Sequence, residues 1–130
     1  MAQNFYITRT LPGADFDTTI AKVQGALADQ GFGVLCDIDV SATFKKKLDH
    51  DFRPYRILGA CNPGYAKQAL EMNDKIGVLL PCNVIVQKTG DGVEVAAVDP
   101  GAMLSPVGDP DLEPLADQVR KHMTEALHSL

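Results

Sequence analysis

Two strongly β-forming runs, Val78–Lys88 and Val93–Val98, are separated only by Thr89-Gly90-Asp91-Gly92. A glycine-rich link this short closes a hairpin, whereas parallel neighbours need a crossover of roughly a dozen residues or more. At least one strand pair is therefore antiparallel, and the rest of the chain has to be fitted around it. Upstream, Asn4–Thr10 alternates, with Phe5 and Ile7 on one side and Tyr6, Thr8 and Thr10 on the other. Phe32–Val40 reads as a further strand, with Phe32, Val34, Cys36 and Ile38 sharing one apolar face, and Pro54–Ala60 reads as another.

Helical spacing separates these runs. Phe16, Ile20, Val23 and Leu27 mark a helix over Asp17–Gln30, capped by Asp15 or Asp17 and stopped at Gly31. Ser41 or Thr43 caps a short helix carrying Phe44 and Leu48, with its lysines in water. Asn62-Pro63 opens a helix that runs to Met72: asparagine caps free amides, and proline at the first helical position loses no needed hydrogen bond. Pro100–Asp109 reads as a loop. Leu112, Leu115, Val119, Met123, Ala126 and Leu127 form the stripe of a last helix, with Asp111 and Glu113 where its dipole favours them. The order is β-α-β-(α)-β-α-β-β-α. It predicts an α+β fold, a two-layer sandwich with a mixed or mainly antiparallel sheet and helices packed on one face. Strand order is not in the sequence. With no linker or repeat, residues 1–130 are read as a single domain.

The formal net charge is −5, and the one basic run, Lys45-Lys46-Lys47, is offset by Asp39, Asp49 and Asp51. A balanced, acidic chain is a poor partner for phosphate backbones, so no nucleic-acid binding is expected. Met1-Ala2-Gln3-Asn4 is not the start of a secretory leader, and the apolar stretch Ile76–Val86 is too short and broken to cross a bilayer. Cys36, Cys61 and Cys82 are odd in number and widely spaced, which suits neither a disulfide framework nor a zinc knuckle. A reducing, cytoplasmic setting without membrane partners is the expectation. No metal site is expected, and the sequence names no cofactor.

Chemistry concentrates in two segments. Gly59-Ala60-Cys61-Asn62-Pro63-Gly64 sets a thiol at a strand end beside a helix N-terminus, where amides and the dipole favour thiolate. Leu80-Pro81-Cys82-Asn83 sets a second thiol on or beside the next strand, and a compact strand-helix-strand unit brings the two together. Cys61 and Cys82 are the candidate catalytic residues; Asn62, Gly64, Tyr65 and Asn83 are the candidate ligand-binding residues. Packing as small hydrophobes is the competing account of every cysteine, Cys36 above all. His122 and His128 read as solvated, and His50 has a possible orienting partner in Asp51. Asp99-Pro100-Gly101 reads as a turn. Arg53, Tyr55 and Arg56 are a weaker candidate for meeting an anion.

Cys61-Asn62-Pro63, then Ala66 and Leu70, then Leu79-Leu80-Pro81-Cys82-Asn83-Val84, resemble the family called domain of unknown function 302. Gly31-Phe32-Gly33-Val34, Asp37-Ile38-Asp39-Val40, Tyr55-Arg56-Ile57-Leu58-Gly59-Ala60 and Asp99-Pro100 match as well, so the resemblance extends from about Phe16 to Leu127. It implies one small α+β domain, mostly prokaryotic, with no established activity. Some members stand beside sulfur- or redox-related domains. Two function classes follow. One is a small-ligand-binding or protein-interaction module, with a pocket near Cys61 and Cys82. The other is a thiol-dependent redox or sulfur-transfer protein, in which Cys61 attacks or accepts sulfur, Asn62 and the next amides steady charge, and Cys82 resolves. A homodimer is expected, since closed dimers are common and a bare sheet has edges to cover.

Overall fold

The computed structural model describes residues 5–130, so residues 1–4, on which the leader expectation and Asn4 fall, lie outside it. Five strands form one sheet: β1 (Tyr6–Leu11), β2 (Gly33–Asp39), β3 (Tyr55–Cys61), β4 (Cys82–Thr89) and β5 (Gly92–Val98). Their order is β1-β5-β4-β3-β2, and every neighbouring pair is antiparallel. Five helices accompany it: α1 (Phe16–Asp29), α2 (Val40–Leu48), α3 (Pro63–Met72), α4 (Pro100–Leu104) and α5 (Glu113–His128). The predicted α+β sandwich is the observed architecture. Among the described residues no helix is long and apolar enough to cross a membrane.

One face of the sheet is the core. Leu58 and Ala60 of β3, Val84 and Val86 of β4, and Val93, Val95 and Ala97 of β5 pack against Val23 and Leu27 of α1 and Met123 and Leu127 of α5. The helix ends are held by specific groups. The Asp15 carboxylate accepts from the Thr18 amide at 2.9 Å and the Thr18 hydroxyl at 2.8 Å, and these bonds hold its pKa below the usual value. Gly31, at φ +83°, supplies the left-handed exit that a side chain rarely adopts. On α5, the Leu127 and His128 carbonyls accept from the Arg9 guanidinium at 3.0 and 2.6 Å, which ties β1 to the helix.

Four expectations are corrected. First, the strand expected from Val78 begins at Cys82, and Asp74–Leu79 is a 3₁₀ segment. Asn73 caps that segment through the Lys75 amide, and Ile76, 1% exposed, anchors it in a second apolar cluster. Second, the loop expected from Pro100 starts with α4, because Asp99 caps the Gly101 amide and Pro100 takes the first turn. Third, α2 is capped by Asp39 rather than by Ser41 or Thr43. Fourth, Cys36 and Ile38 do not share the face of Phe32 and Val34. A bulge lies between Val34, paired with Ala60, and Cys36, paired with Gly59. The added residue turns the rest of β2 over, leaving Cys36 exposed.

Candidate functional site

All the predicted site residues except Gly64 border one of two concavities on opposite faces of the sheet. The first lies on the helix side, where β3 turns into α3. Cys61, Asn62 and Tyr65 border it with Cys82, beneath Leu115 and Val119 of α5. Its volume is about 40 Å³. That is space for water, since about 10–15 Å³ suffices for one molecule, and it is far below the roughly 300–1,000 Å³ of small-molecule sites. The walls are almost entirely apolar, so it holds no array of polar groups to orient a substrate.

Local sequence explains how the two thiols come to border one cavity. Ala60 pairs with Cys82 across the β3–β4 ladder, and Cys61 is the next residue, at the point where the chain leaves the sheet for α3. Cys82 is buried, and burial pushes its thiol up to about 11 from an ordinary 9.0, with the nearby Cys61 adding to the shift. At neutral pH Cys82 is a protonated thiol packed among apolar groups. Asn62 does not cap α3 through its side chain. Its amide lies over Gly31, whose absent Cβ leaves room for it: a Cβ there would stand 3.0 Å from the Asn62 nitrogen. Gly64 sits in the first turn of α3 and borders neither concavity. His122, expected in water, is half-buried: its Nδ1 lies 2.9 Å from the Gln30 Oε1, and its ring packs 5.9 Å from that of Tyr65.

The second concavity lies on the sheet face opposite α1 and α5 and has a volume of about 580 Å³. Strand alternation builds its floor. Val84 and Val86 of β4 and Val93, Val95 and Ala97 of β5 point into the core, so Asn83, Ile85, Gln87, Glu94 and Ala96 are left for the other side. Its rim is apolar and aromatic, with Tyr55 at one end and Phe5, Tyr6, Leu79, Pro81 and Met103 at the other. Of the predicted ligand-binding residues, only Asn83 is here. Apart from Tyr55, singled out with Arg53 and Arg56 for an anion, sequence reasoning missed the rest, although one signal was present. Ile57 and Ile85 lie opposite each other on this face, in strands already apolar on the core side, and a face left to water usually alternates to polar.

A polar chain crosses the floor at the Tyr55 end. The Arg53 Nε donates to the Gln87 Oε1 at 2.8 Å, and the Gln87 Nε2 donates to the Glu94 Oε1 at 2.8 Å. A donor-only guanidinium on one side and an acceptor-only carboxylate on the other determine which way the Gln87 amide points. The second Glu94 oxygen shares the Thr8 hydroxyl with the Val95 carbonyl, each at 3.3 Å. Arg53 itself lies over the Phe52 ring, 4.4 Å from its centroid, beyond the lining of the concavity. Arg56 is committed elsewhere, in a two-bond pair with Asp37 that raises its own pKa. Asp51 pairs with Lys45 at 3.2 Å rather than with His50. No group of three or more metal-ligating side chains occurs among the described residues.

A family model for a domain of unknown function, DUF302, matches residues 7–130. No curated protein matches the chain. Among solved structures, the chain is similar to an uncharacterized conserved protein DUF302 from Bacillus stearothermophilus, with a TM-score of 0.88 and 28% identity. The alignment covers 95% of this chain and 96% of that one.

Proposed function

Because this chain belongs to the DUF302 family, and membership assigns no chemistry, we propose on geometry that it is a small-ligand-binding module acting through the concavity opposite α1 and α5. The observation that carries this reading is the contrast in volume, about 580 Å³ there against about 40 Å³ beside the cysteines. A largely apolar surround with a few fixed polar groups is the usual make-up of a small-molecule site. Asn83 offers a side-chain amide on the floor, and Tyr6 and Tyr55 offer aromatic walls.

The thiol reading keeps one supporting observation, that Cys61 and Cys82 border one cavity. Against it stand the cavity's size and the protonated state of Cys82. The three free cysteines support a reducing, cytoplasmic setting as part of the proposal. The homodimer belongs to it as well. β1 is an edge strand flanked by Phe5, 68% exposed, which favours pairing with a second copy. Sedimentation at micromolar concentration showing only a 14.0 kDa species rejects the dimer.

Native mass spectrometry of freshly purified protein tests the binding reading. The wild type is expected to carry a small-molecule adduct that is absent from Ala96→Trp, a substitution that fills the floor. A far-UV spectrum unchanged by the substitution establishes that the fold survives. An adduct retained in full by the folded variant overturns the assignment of the site.

A further inference from the structure

We propose that the ligand of this concavity is an organic cation, an ammonium group carried on an apolar body. The inference rests on the binding reading above and adds the chemical class. Glu94 is the one charged side chain among the described lining residues. Its neighbours within hydrogen-bond distance, the Gln87 amide and the Thr8 hydroxyl, are neutral, and it makes no salt bridge among the described residues. Two neutral donors orient the carboxylate without cancelling its charge. Each oxygen retains a lone pair for a further donor. The carboxylate is thus held in place on the floor of an apolar concavity, where a cation is the complementary guest.

Geometry also orders the two ends of that guest. Glu94 and Val98 stand on one strand four residues apart, about 13 Å. The carboxylate end has the Tyr55 ring, whose face attracts a cation. Ala96 and Ile85 form the middle of the floor, and Leu79, Pro81 and Met103 close the far end without a charge. An ammonium at Glu94 with a hydrocarbon or aryl body lying toward Pro81 meets favourable chemistry along its length. Arg53 is the competing influence. It is joined to this end through Gln87, and an anionic head group would choose it; its Nε is taken by Gln87, and its guanidinium lies closest over Phe52, at 4.4 Å, with the Tyr55 ring centroid 5.9 Å away.

Three probes with one apolar body separate the alternatives: octylammonium, octanoate and 1-octanol, titrated into the 15N-labelled protein below their aggregation limits. Octylammonium is expected to shift the amides of residues around Glu94, Ile85 and Asn83 and to bind at least tenfold more tightly than octanoate. Glu94→Gln retains the hydrogen-bonding shape and is expected to abolish that tenfold preference while 1-octanol binds as before. Octanoate binding as well as or better than octylammonium at these residues overturns the cation and leaves the site standing. A preference unchanged in folded Glu94→Gln overturns it too. No shifts there with any probe overturns the site and the cation together. Because the head-group comparison is made on the wild type, it stands even where the variant fails to fold.

Discussion

Leu58 and Ile57 are neighbours in β3 and end in different surroundings. Leu58 has no exposed surface and lies among side chains of α1, β4 and α5, while Ile57 is half-buried on the other side of the same strand. The whole sheet repeats this division. Toward the helices, valine, leucine and methionine interdigitate and leave a central space of about 40 Å³, with about 480 Å³ open at the edge between α1 and β2; on the far side, isoleucine, alanine and tyrosine surround about 580 Å³. Both faces are apolar at their centres. What separates them is whether another part of the chain covers them, so one face stabilises the fold and the other is available to a guest.

The largest expected effect tests that division directly. Leu58→Ala removes a fully buried side chain and is expected to cost about 2–5 kcal/mol in urea unfolding, whereas Ile57→Ala, with less contact to lose, costs under about 1.5 kcal/mol. Equal losses break the comparison. Cys82 gives a second measure of how dry the helix side is. Its thiol is held up to about 11 in the folded chain, against 9.0 for an ordinary cysteine. Folding therefore favours the protonated form, and the associated stability is fully present below pH 9 and lost as pH rises through 11. The loss amounts to about 2–3 kcal/mol. Between pH 9 and 11 the wild type is expected to lose stability more steeply than Cys82→Ala, and matching slopes show a wetter environment than burial implies.

Gly59 sharpens the contrast from the other side, for the far face is closely packed at one end. A Cβ on Gly59 would stand 2.5 Å from the Cys36 sulfur and 2.9 Å from the Pro81 ring. Gly59→Ala is expected to cost about 1–3 kcal/mol, with part regained in the double variant Gly59→Ala, Cys36→Ala. Additive losses in the two single variants exclude the contact with sulfur as the cause. The smallest effect is kinetic. Timed alkylation at pH 7 with peptide mapping is expected to label exposed Cys36 first and buried Cys82 last. Cys61 labelling ahead of Cys36 revives the thiol reading, because accessibility alone does not produce that order.

The helices α1, α3 and α5 were legible because each pairs an apolar stripe with an end signal: Asp15 before Phe16, Asn62-Pro63, and acidic residues before Leu115. The hairpin of β4 and β5 was legible from its glycines. Strand order was not, since it depends on which apolar faces meet after collapse. The end of the 3₁₀ segment, Val78-Leu79, was misread as strand because these are residues a strand prefers, and only tertiary burial of Ile76 before them decides between the two. For the site, the sequence brought forward cysteines and helix starts, which carry recognisable motifs. Gln87 and Glu94 carry none. Their relation exists only through pairing of β4 with β5, and Thr8 joins them from the other end of the chain.

The bulge in β2 makes Leu35 a frame-setting residue. Downstream of it, odd and even positions exchange roles, much as reading frame changes after an insertion. Deleting that one residue, 70% exposed and of little weight as a contact, would close the bulge and leave Val34 opposite Ala60 and Cys36 opposite Gly59. Cys36 and Ile38 would stay on the far face, opposite Gly59 and Ile57, and Asp37 would stay beside Arg56. Removing a paired residue such as Asp37 would instead exchange inside and outside for the strand beyond it. The bulge is therefore a place where β2 can change length by one residue while the faces on either side of it are kept.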